Sequence, residues 1–274
     1  MKKLCFLAIT CLVTSVGSFL GATELQPWFG KELEFSLRPS YSYQGFKKIQ
    51  TPKGTVASKG WSQTTGLSLS LVSAQQWSGE VELDAVNTRK RHLGFDSGKV
   101  TARYLLLDDV KGDPVSLTGG ATVGFVSSRW LKDPSVIRHG NANIEGHLAV
   151  GKELSNGPVW TYHFWAMMGL GMSNKGSGWG RLSLNVEKNI QEKHRVALFS
   201  EGSEGFGQRT LVLGPTFAGY SKVGYRAIDV GARYSYKTDF WGSFSLGYTR
   251  GVYARNQPEQ ANTLTFAYFF LFGV

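Results

Sequence analysis

Residues 264–274 read LTFAYFFLFGV, with Leu264, Phe266, Tyr268, Phe270, Phe272 and Val274 at alternate positions. Successive side chains of an extended chain point to opposite sides, so period-two alternation places these six on one face of a β-strand. That face is almost wholly apolar and largely aromatic, a surface that water solvates poorly.

The same period recurs upstream. Leu33, Phe35, Leu37, Tyr41 and Tyr43 alternate with Glu34, Ser36, Arg38, Ser40 and Ser42, and Leu67, Leu69 and Leu71 alternate with Ser68 and Ser70. Val81, Leu83 and Ala85 alternate with Glu80, Glu82 and Asp84. Further segments are read at about 98–107, 115–127, 143–152, 159–172, 179–188, 194–201, 208–220, 225–237, 242–253 and 262–274, for 13 candidates. Pro215 interrupts the 208–220 candidate, because proline cannot donate to a strand ladder. A barrel closing with both termini on one side has an even strand number, so about 12 strands are expected, with 14 as the alternative.

Connections 46–60, 88–97 and 128–141 are long and alternate with the shorter 74–76, 108–114 and 152–158. This rhythm predicts an all-β protein, a single antiparallel up-and-down transmembrane β-barrel. Composition agrees. The 274 residues include 34 Gly, too many for a helical bundle, and with 18% charged and 13% aromatic residues the chain is no disordered polyelectrolyte. The mean hydropathy of -0.17 averages one apolar and one polar face.

A barrel of about 12 strands is too wide for its own side chains to fill, so the apolar face is expected to look outward. The opposite parity carries Glu80, Glu82, Asp84, Arg103, Glu145, His147, Arg181, Glu187, Arg195, Asp229 and Arg233. A dry core would make these costly to bury, whereas a wet lumen solvates them. Trp61, Trp77, Trp130, Trp160, Trp179, Phe240 and Trp241 stand near segment ends and are read as interfacial girdles.

The N-terminus reads as a cleaved signal peptide over residues 1–22, leaving a barrel domain at 23–274. Lys2 and Lys3 precede an apolar run from Leu4 to Val16, and small residues follow up to Ala22. Both cysteines, Cys5 and Cys11, fall inside it, so the mature chain is expected to hold no disulfide.

The terminal strand resembles that of bacterial outer-membrane β-barrel proteins of the porin-like class. The resemblance implies a Gram-negative type outer membrane, with lipid and lipopolysaccharide around the barrel. It also implies that Phe266, Tyr268, Phe270, Phe272 and Val274 form the signal read by the barrel assembly machinery. Val274 departs from the aromatic residue usual at the last position.

Placing the long connections on one side gathers Lys47, Lys48, Lys53, Lys59, Arg89, Lys90, Arg91, Arg129, Lys132 and Arg138 into a basic extracellular rim. In the lumen, Glu187 is expected opposite Arg195, and Glu82 near Arg103. The function read from this pattern is a passive, porin-like channel for small polar or anionic solutes. The competing readings are an outer-membrane lipid or peptide hydrolase and a plugged structural or surface-binding barrel. For the hydrolase, His147 and His163, placed near each other beside Glu145, are the candidate catalytic residues. No motif points to a cofactor or metal, and none to nucleic acid as a partner despite the formal charge of +10.

Overall fold

A computed structural model describes residues 25–274 apart from 75, 158, 215, 216, 218, 239–241 and 274. The signal peptide expected at 1–22, the girdle residues Phe240 and Trp241, and Val274 lie outside the described residues.

The strands are β1 (Glu34–Thr51), β2 (Gly54–Ala74), β3 (Trp77–Thr88), β4 (Arg91–Leu107), β5 (Ser116–Val126), β6 (Ala142–Asn156) and β7 (Val159–Ser173). They continue with β8 (Gly176–Ile190), β9 (His194–Phe206), β10 (Gly224–Lys237), β11 (Ser243–Arg255), β12 (Pro258–Glu259) and β13 (Asn262–Gly273). Each long strand pairs antiparallel with its neighbours, and β1 pairs with both β2 and β13. The result is a closed 12-stranded antiparallel barrel, with the two-residue β12 as an extra pairing on β1. Candidate 208–220 is the one that drops out: its described residues form no strand beyond an isolated bridge from Arg209 to Val223.

The seam between β1 and β13 closes the sheet. Phe35 lies opposite Phe272, with ring centroids 5.4 Å apart and planes 9° from parallel. The pairing passes from Leu37↔Phe270 to Ser40↔Ala267 across Pro39, whose missing N–H cannot serve the ladder.

The apolar parity faces outward throughout: Leu67, Leu69, Val81, Leu83, Leu148, Leu170, Leu198, Leu246, Leu264 and Phe266 are all exposed. No aqueous core covers this belt, whose contiguous area is of the kind that lipid covers. The polar parity faces inward, where Glu80, Glu82, Asp84, Glu145, His147 and Glu187 are buried.

Three details depart from the sequence expectation. Segments 46–60 and 88–97 are mostly strand, leaving turns at Pro52–Lys53 and Arg89–Lys90, because the polar ends of these strands keep pairing past the apolar belt. The girdle is not made by all the named tryptophans: Trp77 is exposed, whereas Trp130 and Trp179 are buried, and Trp160 stacks on an inward-facing histidine. Tyrosines and phenylalanines such as Tyr234, Tyr236, Phe244, Phe270 and Phe272 supply exposed rings instead.

The third departure concerns the loops. Loop 127–141, with the short helix α1 (Ser128–Leu131), folds inward, and the side chain of Trp130 packs on Val86 and Val136. Loop 207–223 joins it through Tyr220, whose hydroxyl donates to the Pro134 carbonyl at 3.0 Å. Leu211, Phe217, Tyr220 and Val223 pack with Phe46, Ile49, Tyr225 and Ala261 into a small core at the mouth.

Candidate functional site: a charged lumen holding an N-terminal segment

Residues 25–29 lie inside the barrel. Leu25 packs against Ala149 and Met167 on the inner faces of β6 and β7. Arg103 donates to the Gln26 carbonyl at 3.0 Å, and the Thr118 hydroxyl donates to the Pro27 carbonyl at 2.7 Å. The Trp28 indole N–H donates to Asp109 Oδ1 at 2.9 Å, and Arg103 also covers the Phe29 ring at 4.9 Å. A side chain at Gly151 would strike Pro27 and Trp28, each 2.7 Å from a Cβ placed there, so this close approach requires glycine.

Asp109 lies in the 3₁₀ turn between β4 and β5. It accepts from Trp28, from Ser116 at 2.5 Å and from the Glu153 backbone N–H at 2.7 Å, and it pairs with Lys152 at 3.6 Å. Burial works against its charged form, but these donors outweigh it and hold the carboxyl below the usual carboxylate range.

Ion pairs brace the lumen wall in two groups. On one side Arg38 approaches Glu80 at 3.5 Å, while Lys99 binds Glu82 at 2.6 Å and Asp84 at 3.2 Å. On the other, Arg181 Nε donates to Glu145 at 2.8 Å, Arg233 approaches Glu187 at 3.8 Å, and His163 pairs with Glu153 at 2.8 Å. Glu201 and Asp229 are register partners on the inner wall and have no cation within 4.0 Å among the described residues.

The expected pairs are therefore corrected. Glu82 lies opposite Lys99, and Arg103 opposite Ser78, so Arg103 is left to hold the N-terminal segment. Glu187 lies opposite Ala197, and Asn189 opposite Arg195, because the turn occupies Gln191–Lys193; Arg195 covers the Trp160 ring at 5.3 Å. His147 lies opposite Gly169, six residues along β7 from His163, which separates the two histidines by about 20 Å. Glu145 serves Arg181 and the Trp179 indole, so the three do not assemble as one site.

The rim is also revised. Lys47, Lys48, Lys53, Lys59, Arg89, Lys90, Arg129 and Lys132 are exposed at the loop end, and Arg91 is half-buried. Arg138 turns inward and is buried against Asp96. Burial opposes its charge, but Asp96 beside it raises the guanidinium further into its charged form. The adjacent His139 stacks on Trp179 at 4.1 Å, and its Nε2 lies 2.6 Å from the Tyr225 hydroxyl. Burial, followed by the Arg138 charge, pushes its pKa down to about 3, so the ring is neutral at pH 7. Between Leu25 and this loop lies a cavity of about 90 Å³, lined also by Lys99, Arg181, Trp179 and Thr122.

The sequence reading missed Gln26, Pro27, Trp28 and Phe29. Their one signal was two aromatic residues following a proline just ahead of the first strand, where an exposed tail would carry neither.

No protein-family model and no curated protein matches this chain. Solved structures do. The COG4313 outer-membrane channel from Pseudomonas putida F1 superposes with a TM-score of 0.65 at 10% identity, covering 92% of this chain and all of that one. The NanC porin gives 0.58 at 12% identity over 85% of this chain and 98% of its own. The KdgM porin in complex with disordered oligogalacturonate gives 0.52 at 12% identity, again over 85% and 98%. With the closed sheet, apolar exterior and charged interior, these likenesses establish the fold as that of the porin-like outer-membrane β-barrels.

Proposed function

We propose that this protein is a passive outer-membrane channel for small polar or anionic solutes, exported by a signal peptide cleaved after Ala22 and inserted by the barrel assembly machinery. The observation that carries this reading is a lumen walled by ion pairs inside an apolar exterior belt suited to lipid. Paired charges offer a permeant solute polar contacts without trapping it by a large net field. The exposed lysines of the β1–β2 hairpin, Lys47, Lys48, Lys53 and Lys59, add a local positive potential that raises the concentration of anions at the mouth. Lipopolysaccharide surrounds that rim. The same topology in proteins described as porins, one of them solved with an oligogalacturonate, supports the channel and its preference for anions.

Residues 25–29 favour a second reading, a barrel closed at rest. Planar-bilayer recording distinguishes the two. The channel reading expects discrete conductance steps and a reversal potential in a salt gradient displaced towards anions. A barrel silent both intact and after deletion of residues 25–29 is plugged, and the channel reading then fails.

A further inference from the structure

Most carboxylates of the lumen wall have a basic partner. Glu80 lies near Arg38, Glu82 and Asp84 near Lys99, Glu145 near Arg181 and Glu187 near Arg233. Glu201 on β9 and Asp229 on β10 depart from this rule. They are register partners, and the exposure of Leu198 and Val230 to the exterior places both on the inner face. Asp229 is 3% exposed, and its Oδ2 has no hydrogen-bond partner among the described residues. The basic groups nearest along these strands are already engaged: Arg181 donates to Glu145, and Arg233 approaches Glu187.

Side chains directly opposite in an antiparallel pair have Cβ atoms about 5 Å apart, so two ionised carboxylates here repel each other. Burial sharpens the repulsion, because less water screens it. A divalent cation between the two removes it, since calcium–oxygen contacts of about 2.4 Å let one ion reach both carboxyl groups. The surroundings supply a further oxygen and room. Ser183 on β8 lies opposite Glu201 on its other side, and the Asn185 amide donates to the Ser183 hydroxyl at 3.3 Å. Opposite Asp229 on β11 stands Gly251, where a Cβ would come within 3.1 Å of Asp229 Oδ1, so glycine leaves that carboxylate uncovered. Glu201, Asp229 and Ser183 offer only hard oxygen ligands, which suit calcium or magnesium and not a softer transition metal. Calcium accepts irregular geometry and sheds water more readily than magnesium does.

We propose that Glu201 and Asp229, with Ser183 beside them, bind a calcium ion on the lumen wall. The bound ion cancels the unpaired negative charge beside the solute path and so favours the passage of anions. The test uses full-length barrel refolded in detergent and stripped with a chelator. Calcium binding is read by titration calorimetry, and the thermal midpoint by heat-modifiable migration. No current is measured, so failure of the site leaves the channel reading standing.

Calcium is expected to give a saturable heat and to raise the midpoint, and potassium at matched ionic strength to do neither. The Glu201→Gln/Asp229→Asn double variant should lose both responses, and each single variant should need about tenfold more calcium. Glu192→Gln, in the exposed turn between β8 and β9, should behave as wild type. An unchanged titration in the double variant overturns the site. So does the absence of calcium heat in the wild type, which leaves the two carboxyls sharing a proton. An equal response to potassium reduces the effect to charge screening and overturns the site likewise. Tighter binding of magnesium than of calcium overturns the choice of ion. Should the double variant fail to refold, the single variants carry the comparison, because each keeps the shape of its side chain and removes one charge.

Discussion

The Trp28 indole lies face to face with the His163 imidazole, centroids 4.1 Å apart and planes 16° from parallel, and Trp160 covers the other face at 3.8 Å. One ring of this three-layer stack comes from the N-terminal segment and the other two from β7, so the stack fastens the segment to the barrel wall. Asp109 holds the same indole by its N–H.

Trp28→Ala should therefore loosen the segment and raise single-channel conductance by about twofold or more, since a narrow pore conducts according to its constriction. Recording in planar bilayers checks this, and an unchanged conductance would show that the segment does not limit flow.

Gly151→Val offers the same test without altering the segment. The added side chain meets Pro27 and Trp28, which must move, and also approaches the Phe164 backbone carbonyl on β7 at 2.9 Å, so the β6–β7 pair must adjust slightly as well. Conductance should rise as in Trp28→Ala, while heat-modifiable migration remains that of a folded barrel.

Asp96→Asn leaves the Arg138 guanidinium buried beside a neutral amide. Removing one partner of a buried pair costs about 3–5 kcal/mol, which here falls on the loop cap and spares the barrel ladder. Limited proteolysis should cut loop 127–141 much faster in the variant, with the barrel core still protected.

Acid should open the same cap through His139. The unfolded cap accepts a proton near the ordinary histidine value of 6.5, whereas the folded cap resists until about pH 3. Cap stability thus holds above pH 7 and falls as pH drops through that window, by up to about 1.4 kcal/mol per pH unit. His139→Phe should flatten this profile in proteolysis measured across pH, and an unchanged slope would assign the acid sensitivity to another group.

Phe272→Ser removes the ring stacked on Phe35 at the closing seam. The expected result is less assembled barrel in outer-membrane fractions, with accumulation of the heat-insensitive form on gels.

The parity of the strands was legible because a lipid-facing wall imposes one rule on every residue. Leu264 and Phe266 point outward for the same reason as Leu67 and Leu83, and the candidate interrupted by Pro215 was the one to drop out. The pairings inside the lumen were not legible. A turn shifted by one residue moves Glu187 from Arg195 to Ala197, and a bulge between Asp84 and Ala85 changes which residues face each other further along. Arg138 looked like a rim charge because nothing in its loop shows that the chain turns inward to meet Asp96, 42 positions earlier.

The sequence by itself determined a two-faced antiparallel sheet of about 12 strands with lipid outside and charge inside, since alternation is local and each strand carries its own signal. Only the tertiary structure decided what occupies the interior: Trp28 beside His163, Arg103 on Gln26, and Arg138 beneath the loop cap. Those contacts join residues far apart in the chain, and closing the barrel is what brings them together.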